Sequence, residues 1–180
     1  GEVLKLAEKA ASLDAQAPQI QETLAQARFA AGREIKALEG LAKTNDALLI
    51  ETRESLLDRY LAAQLQQLKQ GHQQQVLAAL EKVSFLPQGA RTRALVLARL
   101  GQGNDALRII GQAQKNFPGD AGIREAADEV GEQVAAGLYA DYQGGKAALA
   151  VQQAKNLAEN YPKVSQLKIA YDNLLEALLA

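Results

Sequence analysis

The chain reads as all-α, an α-solenoid of antiparallel helix pairs. Three observations predict it. Apolar residues recur at three- and four-residue steps, as they do along one face of a helix. No run alternates with period two over the length of a strand, and β-branched residues are scattered. Glycines stand at Gly32, Gly71, Gly101 and Gly145, each after one helical stretch and before another. The steps between them are 39, 30 and 44 residues, so the period is irregular while the local pattern recurs.

The elements follow in order. Val3, Ala7 and Ala10 space one helix face over residues 3–14, which predicts the second helix of a pair whose first is missing. Pro18 opens the next helix, where a missing N–H costs nothing, with Leu24 and Ala25 inward. Gly32 turns the chain, and Ala37 and Leu41 lead the return helix. Asn45 or Asp46 is the expected N-cap of a long helix over 47–70, striped by Leu57, Leu61, Leu65 and Leu68. Gly71 and His72 break it, and Val76, Leu80 and Val83 carry the return helix to Pro87.

The clearest pair runs from Pro87 to Pro118. Ala94 and Leu97 lie on its first helix, Gly101 at the turn, and Ala106, Ile110 and Ala113 on its second. Small residues at these offsets let two helices approach closely, and the glycine and proline punctuate them. Asn104 or Asp105 is expected to cap the second helix. A helix of about 22 residues, judged from the apolar period, then starts near Gly119 with the stripe Ile123, Ala127, Val130, Val134, Leu138 and Tyr142. After Gly144 and Gly145, Ala150, Ala154 and Leu157 face inward up to Pro162. The last helix carries Val164, Leu167, Tyr171, Leu174, Leu175 and Leu178. The expectation is nine or ten helices in one domain over residues 1–180.

Composition narrows the function. The chain is 180 residues long, 48% hydrophobic and 23% charged, as globular proteins are. A repeat array of this length is elongated, with a thin continuous core. Twenty basic residues face 21 acidic ones, evenly mixed along the chain, so no field draws nucleic acid. There is no cysteine, which removes disulfides and thiolate metal sites and says little about compartment. There is no methionine, and the chain leads with Gly1. That pattern predicts a fragment of a longer protein, and is compatible with a signal peptide or membrane anchor cut away. Apolar runs are a few residues long, too short to insert in a bilayer.

The pattern resembles the tetratricopeptide repeat (TPR) family, whose 34-residue helix-turn-helix unit places small or apolar residues at fixed points and ends on proline. The repeat ending at Pro118 matches at Ala94, Leu97, Gly101, Ala106, Ile110 and Ala113. The repeat ending at Pro162 matches at Gly145, Ala150 and Ala154, with Leu157 where alanine is usual. The repeat around Gly32 matches at Leu24, Ala25, Ala37 and Leu41, then has Thr44 and no proline. The repeat around Gly71 departs most, with an overlong first helix, and the family tryptophan is absent. The resemblance implies a right-handed superhelix whose concave face, lined by first helices, binds a protein or peptide partner. Degenerate arrays rich in alanine and glutamine are also similar to periplasmic parts of bacterial envelope machines, including exopolysaccharide export proteins. That likeness slightly favours the bacterial periplasm over the cytoplasm and leaves the compartment open.

Catalytic chemistry finds little to stand on. His72, the only histidine, has no nucleophile or orienting partner in view and reads as a solvated turn residue. Glu51, Glu54 and Asp58 share a helix face, but with Arg53 and Arg59 interleaved they read as surface ion pairs rather than a cation site. The GxG of Gly101 and Gly103 follows a helix rather than the strand that a phosphate loop needs. The expectation is a non-enzymatic scaffold without metal or cofactor.

The groove candidates are Phe29, Lys69, Arg91, Arg99, Tyr139 and Tyr142. Arg91 and Arg99 would point into the concave groove in the family register and grip a carboxylate or phosphate; a solvated basic face is the alternative. Tyr139 and Tyr142 sit on adjacent faces, as binding anchors or as inter-repeat core, and Phe29 is similar. The glutamines around Gln73, Gln74 and Gln75 read as a neutral solvated face. A carboxylate clamp for chaperone tails is not expected, because Leu95 stands where the clamp wants a polar side chain. Leu174, Leu175, Leu178 and Leu179 form an expected sticky end, to be covered by a second copy in a homodimer, by a further repeat, or by crystal contacts. Two other roles are a polymer-guiding periplasmic spacer and the recruitment arm of a larger enzyme.

Overall fold

The computed structural model describes residues 1–180 and contains ten helices and no strand. The chain forms two compact units, residues 1–89 and 90–180, with the boundary in the first turn of α6. Unit 1 holds α1 (Glu2–Leu13), α2 (Pro18–Ala30), α3 (Glu34–Leu41), α4 (Ala47–Lys69) and α5 (Gln73–Glu81). Unit 2 holds α6 (Pro87–Arg99), α7 (Gly103–Asn116), α8 (Ala121–Gln143), α9 (Ala147–Asn160) and α10 (Ser165–Leu179). No helix is long and apolar enough to cross a membrane.

One turn recurs four times. Gly32, Gly71, Gly101 and Gly145 all have positive φ, between 74° and 89°. At Gly101 the glycine N–H donates to the Ala98 carbonyl and the Gln102 N–H to the Leu97 carbonyl, both at 2.9 Å. This is the Schellman cap, which satisfies two carbonyls that the helix end leaves open. The same pair of bonds closes α2 at Gly32, α4 at Gly71 and α8 at Gly145. The residue after each glycine then serves as N-cap of the following helix: Arg33, His72, Gln102 and Lys146, none with a side-chain cap bond. The turn is too short for a separate capping residue. Neither Asn104 nor Asp105 caps α7, contrary to expectation; both lie inside its first turn.

First helices start in one of two ways. α2 and α6 open on Pro18 and Pro87 and are 13 residues each. α4 and α8 are capped by the carboxylates of Asp46 and Asp120, which accept from the N–H of Leu49 and Ile123, and are 23 residues each. The order Pro-start, Asp-start therefore occurs twice, once per unit. The uneven glycine spacing follows from it, since a 23-residue first helix adds nearly three turns to a pair.

Packing follows one scheme in both units. Within unit 1, α2 packs on α1, α3 and α4, α3 packs on α4, and α4 on α5. Within unit 2, α8 packs on α7, α9 and α10, and α9 on α10. Within each unit the second helix of a pair thus lies against the first helix that follows: α3 on α4, α7 on α8 and α9 on α10. The residues that match the repeat pattern are the core: Ala37, Leu41, Ala94, Leu97, Ala106, Ile110, Ala113, Ala150 and Ala154 are all buried. In unit 2, Ala90, Ala113 and Ile123 form one cluster with Phe117 against it.

Two expected faces are corrected. In α1 it is Leu4 and Ala7 that pack, on Ala27 with Leu24 beside them, while Val3 is 70% exposed. The larger leucine fills the gap to α2 and the valine rotates out. In α10, Leu174 is not part of a sticky end. It is buried with Leu138, Val151 and Ala154, with Leu175 half-buried against them; only Leu178 and Leu179 are exposed.

Alanine at the left-handed turn position brings its Cβ against the following carbonyl. Gly101→Ala is expected to destabilise the chain by about 1–2 kcal/mol, read as a fall in the midpoint of denaturant unfolding. An unchanged midpoint would show that the turn is not under this constraint.

Candidate functional site

In unit 2 the first helices are joined by polar contacts between side chains. Arg99 on α6 pairs with Glu129 on α8 at 2.9 Å, with side chains 62% and 42% exposed. Ser165 on α10 donates to Asp128 on α8 at 3.2 Å, and Asn173 on α10 donates to the Tyr139 hydroxyl at 3.2 Å. The face of first helices is therefore mixed in charge, and the Arg99 guanidinium already has a carboxylate. Arg91 is half-buried near the start of α8, where a Cβ on Gly122 would come within 2.7 Å of its Nη1. Tyr139 and Tyr142 both pack, half-buried, on the cluster of Leu138, Val151, Ala154 and Leu174. They complete an inter-pair core and keep part of each ring at the surface.

Unit 1 holds the other two candidates. Phe29 ends α2 half-buried, with the Arg59 guanidinium 4.8 Å over its ring. Such a contact contributes about 0.5–1 kcal/mol at an exposed site. Lys69 is the exposed last residue of α4, where a cation complements the helix dipole. Asp58 accepts from Gln88 at 2.6 Å, and His72 Nδ1 lies 2.7 Å from Gln67 Oε1.

Tyr60, on α4, is an ionisable side chain pushed off its ordinary value. Its hydroxyl donates to the Ala79 carbonyl at 3.1 Å. Burial raises its pKa above 10.0, and the charge of Glu34 adds to the rise. The folded chain holds this proton more tightly than the unfolded one. The stability it contributes is complete below the ordinary tyrosine value and is lost as pH rises through the folded one. Tyr60→Phe is expected to cost about 0.5–1.5 kcal/mol at neutral pH and to flatten the alkaline fall in stability, followed by denaturant titration from pH 8 upward. An unaltered alkaline limb would refute the assignment.

Unit 2 also contains a cleft of about 450 Å³. α7 and α9 both pack on α8, and the space lies between the start of α7, the second half of α8 and the middle of α9. Val134, Leu138 and Leu157 give it an aliphatic lining, and Asn104, Gln133, Gln153 and Asn156 give it amides. Spacing marks none of these amides as a site, since on helices they read as solvent-facing. A sequence signal is nonetheless present in the glycines of α8. Glycine inside a helix costs about 1 kcal/mol relative to alanine. At Gly131 packing demands it, because a Cβ would lie 2.7 Å from Val164 Cγ1 and 3.0 Å from Gln166 Cβ. At Gly137, which lines the cleft, a Cβ would meet nothing within 4 Å.

The two glycines are therefore expected to respond in opposite directions. Gly131→Ala should destabilise by about 1–3 kcal/mol through overpacking, and Gly137→Ala should stabilise by about 0.5–1 kcal/mol. Thermal melts of the two variants read the difference, and a loss of stability at Gly137 would mean the position is not open.

No protein-family model matches the chain, and no curated protein does. Among solved structures it is similar to a thermophilic TPR protein of Thermus thermophilus, at 22% identity over 96% of this chain and 88% of that one, with a TM-score of 0.31. The helix-pair assignment rests on the recurring turns and the packing scheme.

Proposed function

We propose that residues 1–180 work as one non-catalytic TPR-like scaffold that binds a protein or peptide partner on the face of its first helices. The observation that supports this is the four-fold recurrence of a single turn. It commits the chain to spacing helices side by side, and leaves the outer face of each first helix for contacts. In this reading the candidates of unit 2 are Arg91, Arg99, Tyr139 and Tyr142, and those of unit 1, taken by itself, are Phe29 and Lys69. Half-buried tyrosines are good anchors because they add area at small cost in side-chain order. Arg99 recognises a partner carboxylate by exchanging it for Glu129, an exchange that an exposed pair permits cheaply. Leu178 and Leu179 support self-association through the exposed end of α10. The periplasmic spacer and the recruitment arm of an enzyme rest on the resemblance alone.

The test is affinity capture from host extract on the immobilised chain, followed by titration of the purified partner. Arg99→Glu and Tyr142→Ala are each expected to weaken binding about tenfold or more, roughly 1.4 kcal/mol. Equal retention by all variants, or none by the wild type, would sink the first-helix face as the binding surface.

A further inference from the structure

The charges around the unit 2 cleft are closed within the chain. Asp141 at its rim is held by Lys146 at 3.0 Å. Glu129, one turn from Gln133, is held by Arg99, and Asp105, next to Asn104, by Arg108 at 3.2 Å. Apart from the Asp141 carboxylate, which Lys146 engages, what faces the space is neutral: side-chain amides over an aliphatic floor. Gln152 donates to the Asn156 carbonyl oxygen at 3.0 Å, which leaves the Asn156 NH₂ for another acceptor. The volume lies in the range of ligand pockets, about 300–1,000 Å³.

Gly137 adds an independent argument. Its smallness answers no packing need, since a Cβ there would project into open space. Ala63 stands at the same distance after the cap of α4 as Gly137 does after the cap of α8, so a side chain is compatible with this helix position. What the glycine preserves is room in the cleft and access to the α8 backbone.

We propose that this cleft binds an uncharged, extended segment of a partner polypeptide. One aliphatic side chain of the segment sits on Val134, Leu138 and Leu157 against Gly137. Its main-chain groups pair with the amide of Gln153, which offers both a donor and an acceptor, and with the NH₂ of Asn156, which donates. A charged segment would find a single charge in the lining, the Asp141 carboxylate, with Lys146 already on it. A sugar would find no aromatic ring among the lining residues on which to lay its apolar face. The lining shares none of Arg91, Arg99, Tyr139 and Tyr142, so the site does not depend on the reading of those residues.

The experiment selects acetylated, amidated octapeptides on the immobilised 180-residue chain. One library is uncharged with a central Leu, Val or Ile; a matched library carries acidic and basic residues. Binders are titrated against the wild type, Gly137→Leu, the double variant Gln153→Ala/Asn156→Ala, and Gln73→Ala as a control outside the lining residues. The expected result is enrichment from the uncharged library, with affinity about tenfold lower for Gly137→Leu and for the double variant, and unchanged for Gln73→Ala. Circular dichroism verifies the fold of each variant, and should Gly137→Leu not fold, the double variant decides alone. The proposal is overturned if nothing is enriched, if the binders are charged, or if they ignore both cleft variants. It is equally overturned if neutral oligosaccharides, and no peptide, bind in a manner that Gly137→Leu abolishes.

Discussion

Both units depend on a left-handed glycine two residues past the last residue of α2, α4, α6 and α8. With glycine there, two carbonyls of the helix end are satisfied by the chain itself. The residue that follows is already the N-cap of the next helix. Exit and entry are thereby fused, and the second helix has to return antiparallel. Alanines at the contact positions then set the distance. Ala94, Ala106, Ala150 and Ala154 are fully buried, and each lets the neighbouring helix come closer than a larger side chain would allow. The larger apolar residues, Leu107, Ile110 and Leu167 among them, fill what remains between pairs.

The same logic explains the irregular period. Proline and aspartate solve the problem of an open helix N-terminus differently: proline has no N–H to satisfy, and aspartate accepts one. Here the choice correlates with length, 13 residues after Pro18 and Pro87, and 23 after Asp46 and Asp120. The glycine spacing that looks degenerate against a 34-residue unit is thus an alternation of short and long first helices, present once in each unit. The long helices have surface that their shorter partners do not cover. In α8 that surface carries Gln133, Val134 and Gly137, which is where the cleft opens.

Much of this is legible in the residues. Turn glycines, proline starts, the Asp46 cap and most of the core can be read from spacing, because each depends on local chemistry. Faces are misread where the pattern is ambiguous. Val3 and Leu4 are adjacent and both apolar, and only the depth of the gap to α2 chooses between them. Leu174 and Leu178 share one stripe, and only the position of α9 divides it into a buried and an exposed part. Asn104 and Asp105 are good capping residues overruled by a turn that leaves no cap to fill. The groove candidates illustrate a further limit. Spacing puts Arg99, Tyr139 and Phe29 on helices with access to a groove, but Glu129, Asn173 and Arg59, which engage them, come from other helices. Periodicity carries no information about such partners.

The glycines of α8 show how a site separates from a scaffold. Gly131 and Gly137 lie on one helix and share the same intrinsic cost. One is explained by the fold, since Val164 and Gln166 occupy the place of its side chain. The other is not, since that place is empty. A residue whose cost the folded chain does not offset points to something outside the chain. Sites that need room or strain commonly violate local preference in this way. The amides that surround Gly137 set the kind of group that would offset it: neutral, able to donate and accept, and small enough to lie against a helix backbone. The pair of Asp141 with Lys146 acts in the same direction, by occupying the one charge in the lining.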